Sequence, residues 1–148
     1  MAVQNIEEIN LKGFIVVKHQ FFEREKSPTM AVFKRKVTFS KECQIALDKC
    51  QSIQMLINYD SKQIVVKPMS STDQDSLLWY KEDLKDPFIS DIGCPRLTAR
   101  IYREWKLDSQ YRYKTKGRLV RSERKLMLIF DFNEADCYDR MKLVARHD

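Results

Sequence analysis

Glycine is scarce in this 148-residue chain: Gly13, Gly93 and Gly117 are too few and too scattered to build a GxGxxG or Walker phosphate loop. Enzymes that cradle nucleotides on such loops are set aside. Histidine is scarcer still. His19 and His147 leave little for acid–base or metal chemistry, and His147 adjoins the C-terminus, where chains tend to fray. The four cysteines, Cys43, Cys50, Cys94 and Cys137, contain no CxxC and no zinc-type spacing with histidine. They are expected to be reduced, space-filling thiols, with a reactive thiol as the alternative. No hydrophobic run approaches the roughly 20 residues of a membrane span. The opening stretch, residues 1–10, carries Glu7 and Glu8 but no basic n-region or apolar h-region. A soluble, cytoplasmic protein without membrane contact is expected, and no cofactor is implied.

With 43% hydrophobic residues over 148 positions, the chain can bury roughly two-thirds of its unfolded surface without metal or disulfide staples. That suits one domain or two very small ones. The net charge of +6 is unevenly placed. Residues 12–41 hold eight bases and two acids, residues 69–95 two bases and six acids, and residues 96–125 eleven bases and three acids. Two basic blocks flanking an acidic one suit a polyanionic partner, since neutralising phosphates releases counterions. A solvated surface is the competing reading.

The polar run 70–76 marks a linker, so the expected organisation is a half at 1–69, an acidic linker region at 70–93, and a half at 94–148. In the first half, Phe14 to Val17 reads as a short strand. Ala31 to Phe39 reads as another, with Phe33, Val37 and Phe39 on the core face around Arg35, and Lys34, Lys36 and Thr38 opposite. At Ser40, a good helix N-cap, the period changes to about 3.6, and Cys43, Ala46, Leu47 and Cys50 form one helical face. Ile53 to Tyr59 and Ile64 to Pro68 then make a hairpin about Asp60-Ser61-Lys62. The second half loosely repeats strand, helix and hairpin. Pro95 opens a helix bearing Leu97, Ile101 and Trp105, and the strands Tyr111 to Val120 and Leu126 to Phe132 follow. A C-terminal helix from Asn133 to Val144 completes the reading. Trp79, Trp105 and the Phe21-Phe22 pair are assigned to core or interface.

The sharpest feature is Tyr111 to Leu119, where Arg112, Lys114, Lys116 and Arg118 alternate. A strand places all four on one face about 7 Å apart, which like charges tolerate only in solvent or on a polyanion. Tyr111 and Tyr113 fall on the opposite face, as core or dimer contacts. Nucleic acid, solvent and an acidic protein all remain open for this ribbon, and for Lys34, Arg35 and Lys36.

The run Lys36-Val37-Thr38-Phe39-Ser40-Lys41-Glu42-Cys43 through Ala46-Leu47, with Met55 to Asp60 and Ile64-Val65-Val66-Lys67-Pro68, resembles the AbrB/SpoVT swapped-hairpin family. That family's pattern is a basic residue, a strand, a small helix of the type "IPKEIREAL" and a hairpin ending in "IVLKP". The match spans residues 34–68, about a quarter of the chain. It implies a β-rich α+β barrel and DNA binding by an intertwined dimer, or by an internal pseudo-dimer if the second half is a degenerate copy. By the same resemblance, Lys36 holds the basic position before the strand, preceded by Lys34 and Arg35. Three diagnostic letters differ: Arg35 and Asp48 stand where glycine is usual, and Ser40 where proline is usual.

The function expected is a non-enzymatic DNA-binding regulator, acting as a homodimer. Lys34, Arg35, Lys36, Lys41, Arg112, Lys114, Lys116 and Arg118 would contact nucleic acid. The alternatives are an inhibitor or accessory module for an acidic protein partner, and an RNA-binding protein. Asp73 with Asp75 and Asp131 with Asp136 read as surface acids rather than catalytic pairs.

Overall fold

A computed structural model describes residues 5–18, 27–139 and 142–145. His19, Phe21, Phe22 and His147 lie outside the described residues. Ten strands form one curled antiparallel sheet: β1 (Thr29–Val32), β2 (Lys36–Phe39), β3 (Ser52–Asn58), β4 (Gln63–Met69), β5 (Leu77–Leu78), β6 (Asp91–Gly93), β7 (Arg112–Ser122), β8 (Lys125–Asp131), β9 (Asp136–Asp139) and β10 (Lys142–Ala145). Two helices, α1 (Lys41–Ala46) and α2 (Pro95–Glu104), follow β2 and β6. The α+β, β-rich class holds. Among the described residues, no helix is long and apolar enough to cross a membrane.

The sheet runs β5-β3-β4-β8-β7-β1-β2-β6, with β9 also on β7 and β10 on β9. This order has an internal logic. Exchange β1 with β5, β2 with β6, β3 with β7 and β4 with β8, and β2·β6 and β4·β8 map onto themselves. Likewise β3·β4 maps onto β7·β8, and β3·β5 onto β7·β1. The hairpin β1·β2 has its counterpart in the connection after β5, where Ile89 N donates to Trp79 O at 2.8 Å and Lys81 N to Pro87 O at 2.8 Å. The stretch 70–93 therefore carries two strands, and Trp79 within it is fully buried.

The helices obey the same exchange. The fourth residue of α2, Thr98, donates its hydroxyl to Lys34 O at 2.7 Å, in the β1–β2 turn. The fourth residue of α1, Gln44, donates its amide to Trp79 O and Ile89 O, each at 3.1 Å. Each helix thus clamps the turn belonging to the other half through that turn's backbone carbonyls. Both helices end in a Schellman motif. Lys49 N donates to Gln44 O and Asp48 N to Ile45 O after α1, and Leu107 N to Tyr102 O and Lys106 N to Arg103 O after α2.

Inward faces form the core. Phe39 meets Trp79 and Phe130 edge to face, at 5.4 and 6.0 Å between centroids. Trp105 packs on Phe132 at 5.4 Å and donates its indole N–H to Tyr59 O at 3.0 Å. Such pairs add about 0.5–1.5 kcal/mol each beyond area burial. Cys43 and Leu47 of the expected helical face are buried, and Ala46 and Cys50 partly so.

Four expectations are corrected. The run Ala31 to Phe39 is a hairpin with Lys34 and Arg35 in its turn, so Phe33 faces outward with Lys36. Ser40 stands at the N-cap of α1, but its hydroxyl accepts from Thr29 N at 2.9 Å instead of capping the helix. Phe14 to Val17 forms no strand; it is exposed and has no ladder partner among the described residues. The C-terminal helix is replaced by one 3-10 turn, Phe132–Glu134, then β9 and β10. The Asp131 carboxylate accepts from Asn133 N at 3.0 Å and winds that single turn. The eleven-residue β7 outruns the seven-residue β8, and β9 takes up the remaining edge at Arg112 to Lys114. Satisfying that edge outweighs local helix preference.

Candidate nucleic-acid interface

The candidate surface is the outer face of β9-β7-β1-β2. On β7, Thr115 is buried and its hydroxyl donates to Asp131 O at 3.1 Å, while Lys114, Lys116 and Arg118 on either side are exposed. Tyr113, also inward, sets its ring on Tyr102 at 5.9 Å. Arg112, Lys114, Lys116 and Arg118 consequently share the outer face, and Tyr113 lies on the core side as expected.

Register brings the second basic element alongside. Lys114 stands opposite Ala31, and Lys116 opposite Thr29, so small residues of β1 floor the space beside the bases. A groove of about 350 Å³ results, bordered by Lys36, Arg112 and Lys114 over Ala31 and Thr38. One row across it alternates ring and cation. The Arg112 guanidinium lies 5.1 Å from the Tyr138 ring and 5.4 Å from the Phe33 ring, and the Lys36 ammonium lies 5.1 Å from Phe33. Rings on either side hold the guanidinium in the row by cation–π attraction. Phe33 and Tyr138 were not readable as part of this row, because nothing in the sequence marks the Lys34-Arg35 turn or β9.

The tip is held from behind. Thr98 binds Lys34 O, and Cys94 N donates to Arg35 O at 3.0 Å, so the backbone of the Lys34-Arg35 turn is fixed while both side chains are exposed. Acids border the face. The Lys36 ammonium pairs with Asp91 at 2.9 Å, an exposed pair worth up to about 1 kcal/mol. Asp136 stands opposite Lys114 on β9. Lys41, the first residue of α1, sets its ammonium 5.5 Å from the Phe88 ring.

Cys43, Cys50 and Cys94 are not poised to react. Burial pushes the Cys43 thiol up to about 11, against the downward pull of its hydrogen bonds with Ser40 and Thr29. Burial raises Cys50 and Cys94 as well. Near neutral pH these groups stay protonated, away from the nucleophilic thiolate. Among the described residues, no three His, Cys, Asp or Glu side chains gather to hold a metal ion. Compared with family models, curated proteins and solved structures, the chain matches none.

Proposed function

We propose that this protein is a DNA-binding regulator that grips duplex phosphates with the outer face of β7 and the β1–β2 turn. The observation that carries the reading is the alignment of Arg112, Lys114, Lys116 and Arg118 on one strand face beside the fixed Lys34-Arg35 turn. This extended basic surface follows a linear polyanion better than a compact one.

The AbrB-like reading draws support from the exchange pattern of the sheet. In that family's intertwined dimer, two copies trade hairpins; here β1 pairs with the hairpin of the second half, and β5 with the hairpin of the first. That favours the internal pseudo-dimer over a homodimer, with one chain supplying both halves. The halves differ in charge where the family contacts DNA. The β1–β2 turn carries Lys34 and Arg35, whereas its counterpart between β5 and β6 carries Glu82, Asp83 and Asp86 beside Lys81 and Lys85. The protein therefore engages DNA where the basic turn of the first half lies beside β7 of the second, over one site rather than a palindrome.

The test is the double variant Lys114→Glu with Lys116→Glu, titrated against labelled duplex DNA, single-stranded DNA and RNA. Reduced affinity for every duplex is expected, with a salt slope shallower by about 2, because each phosphate contact contributes about 0.9 to it. The melting temperature should not change, since both side chains are exposed. Wild-type affinity in the double variant would remove β7 from the interface. Single-strand preference would favour RNA binding, and failure to bind any nucleic acid would favour an acidic protein partner.

A further inference from the structure

A second basic site lies on the other side of the β7–β8 hairpin, at the end remote from the Lys34-Arg35 turn. We propose that this cleft binds a small phosphoanion with an apolar or aromatic body, of the nucleoside diphosphate class. It encloses about 520 Å³, within the range of small-molecule pockets. Its floor is apolar: Ala46 and Leu47 at the end of α1, Pro68 of β4 and Leu126 of β8. Its rim is cationic: Lys67, Arg121, Arg124 and Lys125, against the single carboxylate of Asp48.

Alternation along β7 puts Arg121 on the face opposite Arg118, so this rim is distinct from the outer basic face. Among the described residues, none of the four cations has a carboxylate within salt-bridge distance. Four bases and one acid leave an excess of three positive charges around an apolar floor. Self-repulsion of that kind is relieved by an anion, and guanidinium forks suit the paired oxygens of phosphate. The floor supplies what a bare anion would not use, a surface for a ring.

The hairpin turn adds an independent sign. Glu123 and Arg124 hold φ of 51° and 68°, in a two-residue turn that ordinarily takes Asn-Gly or Asp-Gly. The left-handed conformation is unfavourable for an ordinary L residue. This turn sets Arg124 at the rim of the cleft.

The experiment is calorimetric titration of the full chain with ADP, with pyrophosphate and adenosine as separate probes. ADP should bind at least about tenfold more tightly than either part alone, since both rim and floor contribute. Arg121→Glu with Lys125→Glu should abolish ADP binding, and the uncharged Leu126→Ser should reduce it to the level of pyrophosphate. All three side chains are exposed, so both variants should keep the wild-type melting temperature. ADP binding no tighter than pyrophosphate, or unchanged in the rim variant, overturns the proposal. So does no heat of binding at about 1 mM ADP. Duplex DNA affinity is measured on the same variants and is expected to be unchanged. If DNA affinity falls in step with ADP binding, the cleft belongs to the DNA surface and the separate site is refuted. If DNA does not bind even to the wild type, only the outer-face reading fails.

Discussion

At the scale of single residues, side chains that break a local rule show where the fold demands something particular. Asp48 follows α1 at φ 58°, the left-handed conformation that glycine adopts without cost. Asp48→Gly is expected to stabilise the protein by about 1 kcal/mol, read as a higher midpoint in urea. Cys43 makes a second prediction. Its thiol titrates near 11 in the fold against 9.0 for a free thiol, because burial disfavours the thiolate. The folded state holds that proton more tightly than the unfolded chain, so the stabilisation is complete below pH 9 and is lost as pH rises toward 11. Thermal melts between pH 8 and 11 should show a falling melting temperature, with a smaller fall in Cys43→Ala.

At the scale of elements, alternation along β7 and the apolar spacing of α2 were legible because each pattern is local. The core side of Tyr113 and the burial of Ile101 and Trp105 follow directly from period two and period 3.6. The Lys34-Arg35 turn was not legible, since it has neither glycine, asparagine nor proline and is fixed by Thr98 and Cys94 from sixty residues away. The C-terminal strands were hidden for a related reason: Cys137 and Tyr138 are extended because β9 pairs with β7 on one side and β10 on the other. Gly117 tests the packing of β7. A Cβ there would lie 2.6 Å from the ring of Phe130, which is fully buried and has nowhere to move. Gly117→Ala is expected to cost about 1–3 kcal/mol by chemical denaturation. Wild-type stability would show that β7 and β8 pack differently.

At the scale of the whole molecule, the order strand, helix, hairpin could be read twice in the sequence, but the pairing of like strands across the halves could not. That pairing depends on contacts such as β2 with β6 and β4 with β8, which no local pattern encodes. The same holds for the candidate site. Its charges were visible in the sequence, whereas the ring and cation row and the groove over Ala31 exist only once β1 lies against β7. The central claim is that this face binds duplex DNA through several phosphates. Titration of the wild-type protein into labelled duplex DNA between about 50 and 200 mM salt tests it most directly, because affinity resting on many phosphate contacts falls by orders of magnitude over that range. Tight binding at low salt and a steep linear loss on logarithmic axes are expected, whereas no binding at about 50 mM salt, or binding indifferent to salt, would remove this face from the interface.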